Sequence, residues 1–166
     1  DFYQGTCTFK NETGDYDITY SNGIISKAII KFTDGSSYEG TCTSTKLTGS
    51  GTMVFTNGDS YFGAFVDGKR SGKGVYKWSS GDEYNGDWHE DKMEGSGEYK
   101  YSNGNYAKGT FKMNTFSDGD YYCKNDAGTY EYSVTSGTPT SVDISLNNGT
   151  TYKGDMSNGK TTGEAK

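Results

Sequence analysis

The 166-residue chain carries 15 Tyr, 8 Phe and 2 Trp although only 30% of it is hydrophobic. A thick aliphatic core is thereby excluded, and a folded form must be thin and paved with rings. With 25 Gly, one Pro (Pro139) and a formal net charge of −6, the composition favours hairpins over helices or a Pro-rich linker and gives no basic footprint for nucleic acid. No apolar run approaches the roughly 18 residues that span a bilayer, and none reads as a signal peptide.

Along the chain, residues 1–34 read as divergent repeats, and a regular pattern takes over across 35–111. Gly35, Gly58, Gly81 and Gly104 fall 23 residues apart, opening the phrases GSSYEG, GDSYFG, GDEYNG and GNYAKG; the last moves its tyrosine back one place. Between them recur GSGTMVF at 49, GKGVYKW at 72 and GSGEYKY at 95. Parity makes these segments strands: Tyr84, Gly86 and Trp88 alternate with Asn85, Asp87 and His89, and Gly95, Gly97, Tyr99 and Tyr101 with Ser96, Glu98 and Lys100. TNGD, SSGD and SNGN supply the turns. One face is aromatic and glycine, so the ring of a neighbouring strand is expected to lie flat over bare backbone. The predicted fold is all-β, an elongated, curved, single-layer antiparallel sheet of tandem β-hairpins.

The last part, 115–163, repeats the pattern of 1–49 with a constant shift of 114. Phe2 meets Phe116, Gly5 meets Gly119, Gly14 and Tyr16 meet Gly128 and Tyr130, and Gly35, Tyr38 and Gly40 meet Gly149, Tyr152 and Gly154. Either the two ends are related caps, or the chain is part of a longer array that continues or assembles end to end.

The phrase YFGAFVDGKRSGKGVYKWSSGDEYNGDW at 61–88 fixes Tyr61, Gly63, Phe65, Gly68, Lys69, Gly72, Gly74, Tyr76, Gly81, Tyr84, Gly86 and Trp88 together. It resembles the MORN (membrane occupation and recognition nexus) repeat family. Lys69 and Lys92 match the family's lysine, whereas Ser71 and Glu94 stand where a histidine is often found. The resemblance implies one array over 1–166, an open repeat solenoid. It also implies scaffold, cytoskeletal or membrane-proximal roles, with self-association common. A chain that starts at Asp1 reads as a processed product, secretion included, or as an excised piece.

Chemistry is harder to find. His89 is the only histidine and has no partner set for nucleophilic or zinc chemistry, so it reads as a solvated loop residue. The pairs Asp82/Glu83, Glu90/Asp91 and Asp118/Asp120 read as hairpin tips, and no 12-residue calcium loop is present. Cys7, Cys42 and Cys123 read as three buried thiols, with a Cys7–Cys42 bridge open to a secreted protein. The sequons at Asn11 and Asn148 carry little weight. No catalytic residue, metal ligand or cofactor is expected, and the chain reads as a non-enzyme.

The site expected to matter is the aromatic face: Tyr61, Phe65, Tyr76, Trp78, Tyr84, Trp88, Tyr99, Tyr101 and Phe111, some left partly open along a groove. The expected partner is a protein helix or peptide, or another copy joined end to end or edge to edge. A lipid surface is the alternative; over 61–113 eight basic residues, including Lys69, Arg70, Lys73 and Lys77, face eight acids. A glycan-binding surface is the third reading.

Overall fold

The computed structural model describes residues 4–43 and 46–162. Fifteen β-strands and no helix occur among them. The strands are β1 (Gly5–Asn11), β2 (Gly14–Ser21), β3 (Ile24–Phe32), β4 (Ser37–Cys42), β5 (Leu47–Val54), β6 (Ser60–Val66), β7 (Lys69–Lys77) and β8 (Glu83–His89). After them come β9 (Lys92–Lys100), β10 (Tyr106–Lys112), β11 (Thr115–Asn125), β12 (Gly128–Thr135), β13 (Thr138–Leu146), β14 (Thr151–Ser157) and β15 (Lys160–Thr161). They follow one another in sheet order from β1 to β15 without a crossover, as an open sheet of tandem hairpins.

The residues group into two compact units, 1–80 with 87–92 and 81–86 with 93–166. In the first unit the core is Ile18, Ala28, Ile30, Tyr38, Tyr61, Phe65, Tyr76 and Trp88. In the second it is Tyr84, Met93, Ala107, Phe111, Val142 and Tyr152. Burial follows the alternation: β6 runs buried at Tyr61, Gly63 and Phe65 and open at Phe62 and Val66.

Two kinds of turn join the strands. Asn22-Gly23, Asp67-Gly68, Ser136-Gly137 and Asn158-Gly159 hold both central residues at positive φ, as two-residue hairpins demand. Glu90-Asp91 and Met113-Asn114 take the same shape without glycine. The TNGD-type turns close differently: Gly58 N–H donates to Phe55 O (3.1 Å) and Phe55 N–H to Asp59 O (2.9 Å). Asp118 and Asp120, read from sequence as a hairpin tip, lie inside β11, because the turn falls earlier, at Met113-Asn114.

The same local contacts occur at both ends of the 114-residue shift. Asn11 Oδ1 accepts from the amides of Thr13 and Gly14, and Asn125 Oδ1 from those of Ala127 and Gly128. Thr33 N–H donates to Thr13 O, as Asn147 N–H does to Ala127 O. The ladder slips between Thr19 and Tyr20 and again between Ser133 and Val134. At each slip a hydroxyl from the next strand, Ser26 or Thr140, donates to the carbonyl of Thr19 or Ser133. The outer ends of the paired segments, residues 1–3 and 163, lie outside the described residues.

Candidate functional site

The repeat's YxG and GxG phrases meet as a cradle. In the first unit β6 and β7 set Gly63 opposite Gly74, and the Tyr61 ring lies across both. A Cβ on Gly74 would stand 2.5 Å from ring carbons Cε2 and Cζ of Tyr61, and one on Gly63 would stand 2.6 Å from Gly74 Cα. Over Gly74 the ring thus comes from the neighbouring strand, as the sequence reading had it, and over Gly63 it comes from two residues earlier on the same strand. Its hydroxyl donates to Ala64 O (3.0 Å). Tyr38 repeats the arrangement over Gly40 and Gly51, donating to Thr41 O (2.7 Å). In the second unit Tyr84 lies over Gly86 and Gly97.

Around Tyr61 the other rings stand edge-on: Phe65 at 5.1 Å and 85°, Trp88 at 5.4 Å and 83°. Trp88 Nε1 donates to Gly74 O (3.1 Å), which satisfies the indole inside the apolar layer. Arg70 covers this cluster, its guanidinium carbon 4.5 Å from the Trp88 ring and 5.0 Å from Tyr76. Asp91 holds the guanidinium, accepting from Arg70 Nε (3.0 Å) and Arg70 N (2.9 Å).

Struts tie each repeat to the next. Asp59 Oδ2 accepts from Tyr76 hydroxyl (2.7 Å) and its Oδ1 from Ser79 N–H (2.8 Å). These donors hold the Asp59 carboxyl below its ordinary pKa, the Ser79 amide foremost. In the second unit Asp82 does the same with Tyr99 (3.0 Å) and Ser102 (2.8 Å). Burial pushes the phenols of Tyr38, Tyr61 and Tyr76 up to about 12.

Of the nine aromatic residues singled out from sequence, Tyr61, Phe65, Tyr76, Tyr84, Trp88 and Phe111 are buried. Trp78 and Tyr99 are half-buried, and Tyr101 is 38% exposed. The first six form the wall of the layer. In the second unit the displaced tyrosine of GNYAKG leaves Ala107 at the cradle position, opposite Tyr99 on one side and Tyr121 on the other. Rings line up here, half-buried except at Tyr101: Tyr99 to Tyr101 at 4.7 Å, Tyr101 to Tyr121 at 6.3 Å, Tyr121 to Tyr132 at 6.4 Å. Tyr121 and Tyr132 were missed from sequence. The signal was available for Tyr121, which shares the parity of Gly119 on β11, and Tyr132 stands opposite it on β12.

His89 is exposed at the end of β8. The three cysteines are free thiols; Cys7 is exposed and Cys42 and Cys123 half-buried, so the reading of three buried thiols is corrected. Cys7 sits on β1, which among the described residues pairs with β2 alone. No group of three or more His, Cys, Asp or Glu able to hold a metal occurs among the described residues. No helix among them is long and apolar enough to cross a membrane.

Comparison with known proteins finds matches to one family model and to solved structures. The MORN repeat family model matches residues 38–60, 61–83 and 84–106. No curated protein matches the chain. Among solved structures, the SAS-4 (dCPAP) TCP domain of Drosophila melanogaster, in complex with a proline-rich motif of Ana2 (dSTIL), is 9% identical with a TM-score of 0.42, over 92% of this chain and 90% of that one. The TCP10c domain of Drosophila melanogaster Sas-4 is 12% identical with a TM-score of 0.41, over 97% and 98%. The three family matches abut one another and begin at Tyr38, Tyr61 and Tyr84, the three rings that lie in glycine cradles. Residues 38–106 thus match three consecutive MORN repeats.

Proposed function

We propose that this chain is a non-catalytic docking scaffold that receives a protein segment on the uncovered tyrosines of its second unit. The observation that carries the reading is the row Tyr99, Tyr101, Tyr121 and Tyr132, with Tyr101 38% exposed at its open side. In the first unit rings are sealed by Phe65, Trp88 or Arg70, and in the second Phe111 seals Tyr84. Tyrosine suits a docking role, since it offers a large, stiff apolar surface with a hydroxyl that hydrogen-bonds a peptide backbone. The supporting electrostatics are modest: burial raises the phenol pKa of Tyr101 and Tyr132, so both remain neutral donors across the physiological range.

The test is selection of displayed peptides on the folded chain, followed by amide chemical-shift mapping of the best binder. Shifts should centre on residues 99–101, 121 and 132, and Tyr101→Ala with Tyr121→Ala should weaken binding at least about tenfold, or about 1.4 kcal/mol. Selected peptides that map elsewhere, or bind the double variant equally well, refute the reading.

A further inference from the structure

We propose that two copies of the chain pack face to face through the outer side of β5 and β6, with Phe62 at the centre of the contact. This surface belongs to the first unit, on the side away from the Tyr61 ring, and is separate from the tyrosine row. Every strand of the array contains a charged residue except β5, LTGSGTMV, and β6, SYFGAFV, which are neighbours. Their inward positions include Gly51, Met53, Tyr61, Gly63 and Phe65, so the outward ones are Thr48, Ser50, Thr52 and Val54 on β5 and Ser60, Phe62, Ala64 and Val66 on β6.

The other repeats show that the fold does not require this surface. Where this repeat has Phe62, its neighbours have Glu39, Asn85 and Lys108. Where it has Val66 they have Thr43, His89 and Lys112, and where it has Val75 they have Thr52 and Glu98. In register, Phe62 stands between Thr52 on β5 and Val75 on β7. Phe62 is 62% exposed and Val66 55%, and Val54, diagonal to Phe62, is exposed as well. A large ring that is neither buried nor demanded by the repeat marks an interaction surface. β5 also pairs with β4, and β6 with β7, so the surface is a sheet face inside the array rather than an edge.

Charge and shape select a second copy as the occupant. With a net charge of −6, two copies repel over most of their surface. At β5 and β6 no charge meets its like, and flanking charges stand in pairs, as with Lys73 and Asp87 (2.7 Å) or Lys27 and Glu39 (2.6 Å). A charged partner would find no counter-charge here, whereas an identical face brings none that needs one. The Phe62 ring rises between the shorter side chains of Thr52 and Val75. Under a two-fold axis each ring can therefore seat on the low row beside the other, as facing sheets interdigitate about 10 Å apart. Strands β4 to β7 at about 4.8 Å spacing, and the seven residues of β6 at about 3.4 Å each, give a footprint of roughly 450 Å² per copy. A standard interface covers about 800 Å² per partner, so the pair should be weak, with a Kd of about 10 μM to 1 mM.

The test is sedimentation of the full chain from micromolar to millimolar concentration. The weight-average mass should climb from 18.1 kDa towards twice that value, and concentration-dependent amide shifts should gather on β5, β6 and Val75. Phe62→Glu should weaken association at least about tenfold, with amide exchange in β5 to β7 as in the parent, because the position is exposed. Phe62→Leu should retain association, and Ile24→Glu, at an exposed apolar residue outside this surface, should leave it unchanged. A mass that stays at 18.1 kDa up to millimolar concentration overturns the proposal, and is the result expected if another segment of the same chain or a different protein covers Phe62. Association that survives Phe62→Glu, that Ile24→Glu weakens equally, or whose shifts fall on Tyr101 and Tyr121 overturns it as well.

Discussion

Replacing Gly74 by alanine is the sharpest probe of the tyrosine cradle. The three atoms nearest to the added methyl all belong to Tyr61: its hydroxyl oxygen, Cε2 and Cζ, the last two at 2.5 Å. Tyr61 is 0% exposed, so the ring has no free volume into which to retreat. Overpacking alone costs about 1–3 kcal/mol. If the ring swings out it forfeits its hydrogen bond to Ala64, about 1 kcal/mol, and two edge-on pairings worth about 0.5–1.5 kcal/mol each. Gly74→Ala should therefore cost about 2–4 kcal/mol, a large share of the total stability of an ordinary domain. The assay is a double-mutant cycle with Tyr61→Ala, read by urea unfolding through tryptophan fluorescence and by amide exchange in β6 and β7. Without the ring, the alanine should be neutral or stabilising by up to about 1 kcal/mol, since glycine weakens a strand interior. A cost below about 1 kcal/mol in the parent chain, or an equal cost in both backgrounds, would refute the cradle.

Arg70→Met should change stability by less than about 1 kcal/mol, because an unbranched apolar side chain can still lie over the Trp88 ring, and the equivalent positions one repeat away are the apolar Leu47 and Met93. Arg70→Ala should cost about 2 kcal/mol by uncovering Trp88, and near-UV circular dichroism with thermal unfolding checks both. Alkali should unfold the chain in a defined window. The folded phenols of Tyr38, Tyr61 and Tyr76 lie near 12 against an ordinary 10.0, so the neutral form is the one the fold favours. Their contribution is complete below about pH 10 and is lost as pH rises towards 12, at up to about 4 kcal/mol per pH unit for three protons. A flat unfolding midpoint between pH 10 and 12 would count against this. With a thiol reagent under native conditions, Cys7 should label first, and Cys42 and Cys123, whose thiols burial pushes up, at least about tenfold slower. Equal rates at all three would show that the layer does not shelter them.

The strands were legible because period-2 parity and the 23-residue spacing each constrain the other. A ring at Tyr61 needs bare backbone at Gly63 and Gly74, so the glycines mark both strand and register. What escaped has local causes. Glu90-Asp91 and Met113-Asn114 form hairpin turns that composition does not announce, because contacts from the preceding repeat hold them: Asp91 N–H donates to Arg70 O, and Asn114 N–H to Met93 O. The misplacement of Asp118 and Asp120 followed from the second of these. Exposure of individual rings was beyond parity as well. Parity assigns Tyr76 and Tyr101 to the same kind of face, but only the chemistry of the next repeat decides which is roofed. Tyr76 has Trp88 and Arg70 above it, whereas Tyr101 has Tyr121 alongside and remains 38% open.

The links from one repeat to the next are short along the chain. The strut from Ser79 to Asp59 reaches back 20 residues, and the bond from Asp91 to Arg70 reaches back 21. During synthesis each hairpin can therefore find its lasting neighbour as soon as it clears the ribosome, before the following one has been made. Loop-closure entropy is then met in small, equal instalments, and inserting or deleting a whole 23-residue unit leaves every remaining instalment unchanged.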